Sequence, residues 1–263
     1  MPYLSPALNV MIAAARKAGK GLIRDFGELE NLQVSRKGPA DFVSNADQRT
    51  ERLLIEQLSK ARPGYGFLVE EAGAIEGPDK THRFIIDPID GTSNFLHGIP
   101  QFCISIALER EGVVSSAVVF NPVTDEMFVA ERSHGAFLND KRLRVAARSH
   151  LPDTLIASGA PFMGKEGHEG FLVELNAVLN ATAGMRRFGS AALDLAWVAA
   201  GRFDAFWERG LKSWDIAASM LLVREAGGVV TDLDGRDRMM ESGDVLAAND
   251  ALHKPLLDLI RGK

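Results

Sequence analysis

The chain has 263 residues with 46% hydrophobic and 25% charged positions, the composition of an ordinary soluble domain with room for a substantial core. A formal net charge of −5 gives no reason to expect a nucleic-acid partner, basic stretches such as Lys141-Arg142 notwithstanding, and Cys103, the single cysteine, excludes an intrachain disulfide. The longest apolar run, near Phe102 to Leu108, falls far short of the roughly 20 residues that span a bilayer, so no membrane partner is expected; with no basic, apolar, cleavable leader ahead of the first helix, a reducing cytoplasm is the expected home.

In chain order, Leu8, Ile12, Ala15, Leu22 and Ile23 form an apolar stripe that predicts a helix ending near Gly27. Lys37 to Asp47 reads as a loop and short strand that deliver a carboxylate to a second helix, which buries Leu53, Leu54 and Leu58 and ends at Pro63-Gly64. Phe67-Leu68-Val69 predicts a strand with Glu70-Glu71 at its end. Arg83 to Ile86 predicts a short buried strand; Pro88 then stops sheet pairing and places Asp87 and Asp90 on a tight turn with Gly91 and Thr92. Strand signals continue at Ile104 to Leu108, Val113 to Phe120 and Met127 to Ala130, with turns at Glu111-Gly112 and Asn121-Pro122.

Helices return around His168 to Asn180, Ser190 to Ala200, Ile216 to Ala226 and Leu252 to Ile260. Gly159 to Gly170 is either a mobile segment or an idle surface loop. Trp214-Asp215 opens a helix, where Asp215 alone is read as a cap. Trp197, Phe203, Phe206 and Met220 are read as core, and none of the six histidines shows metal-ligand spacing.

Asp87 and Asp90 are the chemically telling pair. Two acids on one turn repel unless a cation lies between them, and hard divalent cations take oxygen ligands. An isolated D-x-x-D is more often a solvated turn, so its weight comes from company.

That company is Glu70-Glu71, the block DPIDGTSNF from Asp87 to Phe95, the block GSAALDLAWVAAGRFDAFWERGLKSWD from Gly189 to Asp215, and AGG from Ala226 to Gly228. Together these resemble the inositol monophosphatase family, in its bacterial inositol-1-monophosphatase branch, over nearly the whole chain to Asn249. The resemblance implies an α+β fold, a layered αβαβα sandwich of the inositol monophosphatase and fructose-1,6-bisphosphatase type. One catalytic unit would cover 1–263, with a half at about 1–145 carrying most metal ligands and a half at 146–263 carrying Asp215 and the substrate pocket.

It further implies two to three Mg2+ ions held by Glu70, Asp87, Asp90, Asp215 and the carbonyl of Ile89, with Thr92 and Asp47 orienting and deprotonating the attacking water and Glu70 taking part in catalysis. Gly91 and Thr92 would give backbone N–H groups to the phosphate. Gly189, Ser190, Ala191, Glu208, Asp90 and Asp215 would line the polyol pocket, and Lys37 matches a basic residue of a mobile loop. The implied activity is hydrolysis of myo-inositol 1-phosphate or a related small polyol phosphate, with lithium sensitivity and a homodimer. Histidinol phosphate, fructose 1,6-bisphosphate and a 3′-phosphoadenosine nucleotide remain alternative substrates, and a protein that binds a protein or ribonucleoprotein partner is the alternative class.

Overall fold

Alternation along the central strands divides their side chains between two cores. The computed structural model describes residues 5–28, 34–38 and 41–263, and of 34–38 and 41–43 the backbone alone. Among the described residues the strands are β1 (Val34–Gly38), β2 (Asp41–Ser44), β3 (Tyr65–Val69), β4 (Gly73–Ile75), β5 (Asp79–Asp90), β6 (Cys103–Arg110), β7 (Val113–Asn121), β8 (Glu126–Glu131), β9 (Gly135–Leu138), β10 (Lys141–Arg142), β11 (Leu155–Ser158), β12 (Gly184–Arg186), β13 (Ala205–Glu208), β14 (Val229–Thr231) and β15 (Val245–Ala248). The helices are α1 (Pro6–Phe26), α2 (Asn45–Ala61), α3 (Thr92–Leu96), α4 (His168–Ala181), α5 (Ala191–Ala199), α6 (Ser213–Glu225), α7 (Met239–Ser242) and α8 (Asp250–Ile260).

An eight-stranded sheet runs β10-β9-β8-β7-β6-β5-β3-β4, antiparallel except where β3 meets β5. A five-stranded sheet runs β12-β11-β13-β15-β14, with β11 parallel to both of its neighbours. Phe84, Ile86, Ile104 and Ile106 face α1 and α2 in one core, while Ile85, Cys103 and Ala107 face α5 and α6 in the other. This is the period of two expected of strands buried on both faces.

α5 and α6 fill the space between the sheets. They are apolar almost all round, from Ala191 to Ala199 and from Ile216 to Val223, as a helix without a solvent face must be. On the far side of the small sheet, Ile156, Trp207, Leu246 and Ala248 pack against Val178 of α4 and Leu252 and Leu256 of α8. The result is the αβαβα sandwich. No described helix is long and apolar enough to cross a membrane.

The N-termini of α5 and α6, the ends of β11 and β13, and the ends of β3 and β5 all open onto one cleft. The small sheet went unread in the sequence because its strands have three or four residues and little polar alternation.

Candidate active site

Pro88 does not stop the strand. β5 continues to Asp90, and the pairing shifts so that Asp87 opposes Ser105 while Asp90 opposes Cys103. Three steps on β5 therefore match two on β6, a β-bulge with one extra residue. Without it, Asp87 and Asp90 would point to opposite faces of the sheet. With it, both follow Cys103 and Ser105 toward the inner helices, and the missing N–H of Pro88 falls where the ladder is already interrupted. The Ile89 N–H donates to Asp87 Oδ1 at 2.9 Å, fixing the bulge.

Glu70 leaves the end of β3, where its N–H donates to the Ile86 carbonyl at 3.2 Å. The turn beyond it is tied to α2, because the Glu51 carboxylate accepts from the N–H groups of Glu71 at 2.8 Å and Ala72 at 3.1 Å. Asp215 occupies the first turn of α6, and its Oδ2 accepts from the Lys212 N–H at 2.8 Å. Asp90 Oδ2 accepts from Ser190 Oγ at 2.6 Å and from the Ala192 N–H at 2.8 Å. The cleft of about 300 Å³ is lined by Glu70, Asp87, Asp90 and Asp215 together, with Ile89, Gly91, Thr92, Gly189, Ser190, Ala191 and Glu208.

Thr92 and Asp47 also meet. Thr92 Oγ1 lies 3.2 Å from Asp47 Oδ1 and 3.0 Å from the Ile89 carbonyl, and its one proton serves one of them at a time. Asp47 lies inside α2 rather than before it: its Oδ2 accepts from the N–H and Oγ of Ser44, the N-cap residue, at 2.8 and 2.6 Å. Asp47 thus caps α2 through one carboxylate oxygen and meets the Thr92 hydroxyl through the other.

Burial dominates the electrostatics. It raises Asp87 well above the usual carboxylate range, with the charges of Glu70, Asp90 and Asp215 and the close approach of Glu70 adding to the shift. Asp90 is pushed up to about 6, chiefly by burial against the opposing bonds from Ser190 and Ala192. Asp215 rises to about 7, through burial and then Asp90, and Glu208 to about 8, through burial and then Asp215 and Asp90. Asp194, one turn into α5, is raised well above its ordinary value by burial and by Asp90, and its Oδ1 has no hydrogen bond.

Carboxylates buried this close repel one another, so the meeting of Asp87 with Glu70, Asp90 and Asp215 marks a place where positive charge belongs. Asp87, Asp90 and Asp215 each accept at one oxygen from a backbone or hydroxyl donor. An all-oxygen, acid-rich donor set of this kind fits Mg2+. No three of the described His, Cys, Asp and Glu side chains close into a ready-made cage; the acids line the cleft rather than sealing it.

Several contributors were not foreseen. A Cβ on Gly159 would lie 1.9 Å from the Glu208 carboxyl, so Glu208 occupies the space that a side chain there would fill. Asn94 Nδ2 donates to the carbonyls of Gln101 at 2.7 Å and Phe188 at 2.6 Å, fastening α3 to the segment before Gly189. Lys165 and Arg187 line the cleft. The basic pair Arg186-Arg187, three residues ahead of Ser190, was the available signal for the second of these. From the segment read as either mobile or idle, Gly159, Ala160, Phe162 and Lys165 form one wall of the cleft. Lys37 falls on β1, and its side chain lies outside the described residues.

Comparison with known proteins agrees with the fold. Residues 3–262 match the model of the inositol monophosphatase family. The chain is 58% identical to an inositol-1-monophosphatase of Mesorhizobium japonicum over 98% of its own length and 97% of that protein. It is 42% identical to Nus factor SuhB of Escherichia coli over 98% and 97%. The crystal structure of extragenic suppressor protein suhB from Bartonella henselae superposes with a TM-score of 0.96 at 53% identity, covering 98% of this chain and 99% of that one. A layered sandwich with an acid-lined cleft between its two sheets defines the class. The chain belongs to the inositol monophosphatase family, and it is a phosphatase.

Proposed function

We propose that the protein is a Mg2+-dependent phosphomonoesterase that hydrolyses myo-inositol 1-phosphate or a related small polyol phosphate. The observation that carries this reading is the convergence of Glu70, Asp87, Asp90 and Asp215 in one cleft that also holds Thr92. Residues 1–145 supply most of the acids and 146–263 supply Asp215 and the polyol side, so the whole chain is read as one catalytic unit.

Glu70, Asp87, Asp90, Asp215 and the Ile89 carbonyl would hold two to three Mg2+ ions, which when bound make water acidic and neutralise charge on the phosphate. Thr92 accepts a proton from the attacking water while passing its own to Asp47 Oδ1, the acceptor it already contacts. Burial raises Asp47, which makes it a better proton acceptor than an ordinary aspartate. The water oxygen forms a bond to phosphorus as the bond to the alcohol oxygen breaks on the opposite side, and the alcohol leaves with a proton from solvent. The first-turn amides of α3 follow Gly91, whose φ of +95° turns the chain into the helix, and they give the phosphate N–H groups with no intrahelical acceptor. Glu208, Ser190 and the backbone at Gly189 and Ala191 meet the polyol hydroxyls. Lithium inhibition follows from the same carboxylates.

Phosphate release from myo-inositol 1-phosphate, histidinol phosphate, fructose 1,6-bisphosphate and a 3′-phosphoadenosine nucleotide tests the substrate. Highest kcat/KM on the first, abolished by EDTA and restored by Mg2+, is expected; comparable values on all four would remove the polyol assignment. A cytoplasmic homodimer belongs to the same reading, supported by exposed Ile99, Leu172 and Val173, which are 47%, 60% and 71% accessible. Sedimentation equilibrium showing only monomer at micromolar concentration would contradict it. The relatives named Nus factor SuhB support a second reading, a protein that binds a macromolecular partner with catalysis secondary. Cellular function that survives Asp90→Asn would favour it.

A further inference from the structure

Beside the catalytic cleft lies a second chamber of about 260 Å³. Its walls are mostly carbon, from Pro161, Phe162, Phe171 and Trp207, with the rings of Phe171 and Trp207 stacked at 6.2 Å between centroids and 24° between planes. Three of the polar side chains around it are already paired with one another or with a neighbour. Trp207 Nε1 donates to Glu174 Oε2 at 3.1 Å, Arg209 Nε donates to Glu174 Oε1 at 2.8 Å, and Arg209 Nη1 donates to Asp244 Oδ2 at 3.0 Å. A concave space walled largely by aromatic rings and carbon offers a ligand apolar contact, with Lys165 and Glu208 at the side shared with the cleft.

The chamber and the cleft share walls. Glu208, Phe162 and Lys165 border both. The Lys165 ammonium lies 5.0 Å from the centroid of the Phe162 ring, so part of the boundary is a flexible cation on an aromatic face rather than packed backbone. An alcohol whose hydroxyl meets Glu208 lies against a wall that also borders the chamber, formed by Gly159, Ala160, Phe162, Lys165 and Glu208.

We propose that the chamber is a subsite for an apolar or aromatic arm on the alcohol half of the substrate, so that the enzyme hydrolyses phosphate monoesters of polyols carrying such an arm better than the bare polyol phosphate. The inference rests on the phosphomonoesterase reading. The arm enters past Lys165 and stacks on Phe171, while the phosphate and its hydroxyl neighbours stay in the cleft.

The test is phosphate release by the full chain with Mg2+ from two esters, glycerol 2-phosphate and 1-O-benzylglycerol 2-phosphate. In the wild type, kcat/KM for the benzyl ether exceeds that for the parent by about tenfold, equivalent to about 1.4 kcal/mol, through a lower KM. Phe171→Asp removes the gain and leaves glycerol 2-phosphate unchanged. Should that variant not fold, Phe171→Ala, which removes the ring without adding a charge, loses the gain in the same way, and Phe171→Leu keeps part of it. Hydrolysis of both esters at equal kcat/KM, or a gain that survives loss of the ring in a folded variant, overturns the subsite and leaves the phosphatase reading standing. Release from neither ester nor from myo-inositol 1-phosphate removes that reading and the subsite with it.

Discussion

Ser190 Oγ donates to Asp90 Oδ2 at 2.6 Å, a bond between residues 100 positions apart. It locks the start of α5 onto the bulge of β5, and the Ala192 N–H donates to the same oxygen at 2.8 Å. One carboxylate oxygen of Asp90 is thereby spent on architecture, and in the proposed function the other would meet a metal ion.

Asp90→Asn separates these two roles. The amide oxygen can still accept from Ser190 and Ala192, and one of several mutually repelling acids is gone. Turnover is expected to fall at least about a hundredfold, as loss of groups that hold or orient a metal does. The melting temperature of the metal-free protein stays level or rises. Steady-state kinetics beside thermal unfolding read both; near wild-type turnover would remove Asp90 from the machinery.

Thr92 joins the cleft to the buried Asp47 by a single hydroxyl. Thr92→Ser keeps that hydroxyl and should retain most activity, whereas Thr92→Val deletes it and should lower kcat by about a hundredfold with a small change in KM. Equal kcat in the two variants would show that the relay does not operate.

Gly159 sits against the Glu208 carboxyl with no room for a methyl group. Gly159→Ala forces Glu208 aside, so KM for a polyol phosphate is expected to rise about tenfold or more, with little loss of stability because the displaced group is the end of a side chain bordering open space. An unchanged KM in the folded variant would place Glu208 away from the substrate.

Without metal, the cleft acids make stability fall as pH rises. Their folded-state pKa values, about 6 for Asp90, about 7 for Asp215 and about 8 for Glu208, stand above the ordinary carboxylate range, so the native state holds more protons than the unfolded chain between about pH 4 and pH 8. Their stabilising contribution is complete below that window and is lost as pH climbs through it. Urea midpoints in EDTA should decline from pH 5.5 to pH 8.5, and saturating Mg2+ should shrink or reverse the decline. A midpoint that rises with pH in EDTA would show that these acids are not buried together.

How much of this was legible in the residues depends on the range of the signal. The long amphipathic helices α1 and α2 follow from periodicity, because each presents a face to a core, and the strands β6 to β8 follow from β-rich runs bounded by turn residues. The bulge at Pro88 and Ile89 was misread as the end of a strand, since proline marks both and only pairing with Cys103 and Ser105 tells them apart. The contacts of Asp90 with Ser190, of Thr92 with Asp47 and of Glu208 with Gly159 leave no local trace, since each depends on how two distant elements pack. Family resemblance named most of these residues in advance. Asn94 and Glu51, which hold neighbouring segments in place by bonds to backbone, are polar residues whose importance shows only in the fold.

The most direct test of the central claim is anomalous diffraction from crystals of the full chain grown with Mn2+ in place of Mg2+. The account predicts peaks in the cleft bonded to Glu70, Asp87, Asp90 and Asp215 at about 2.1 Å, the octahedral oxygen-ligand distance. A cleft with no peak, in crystals of protein that still releases phosphate under the same conditions, would contradict it.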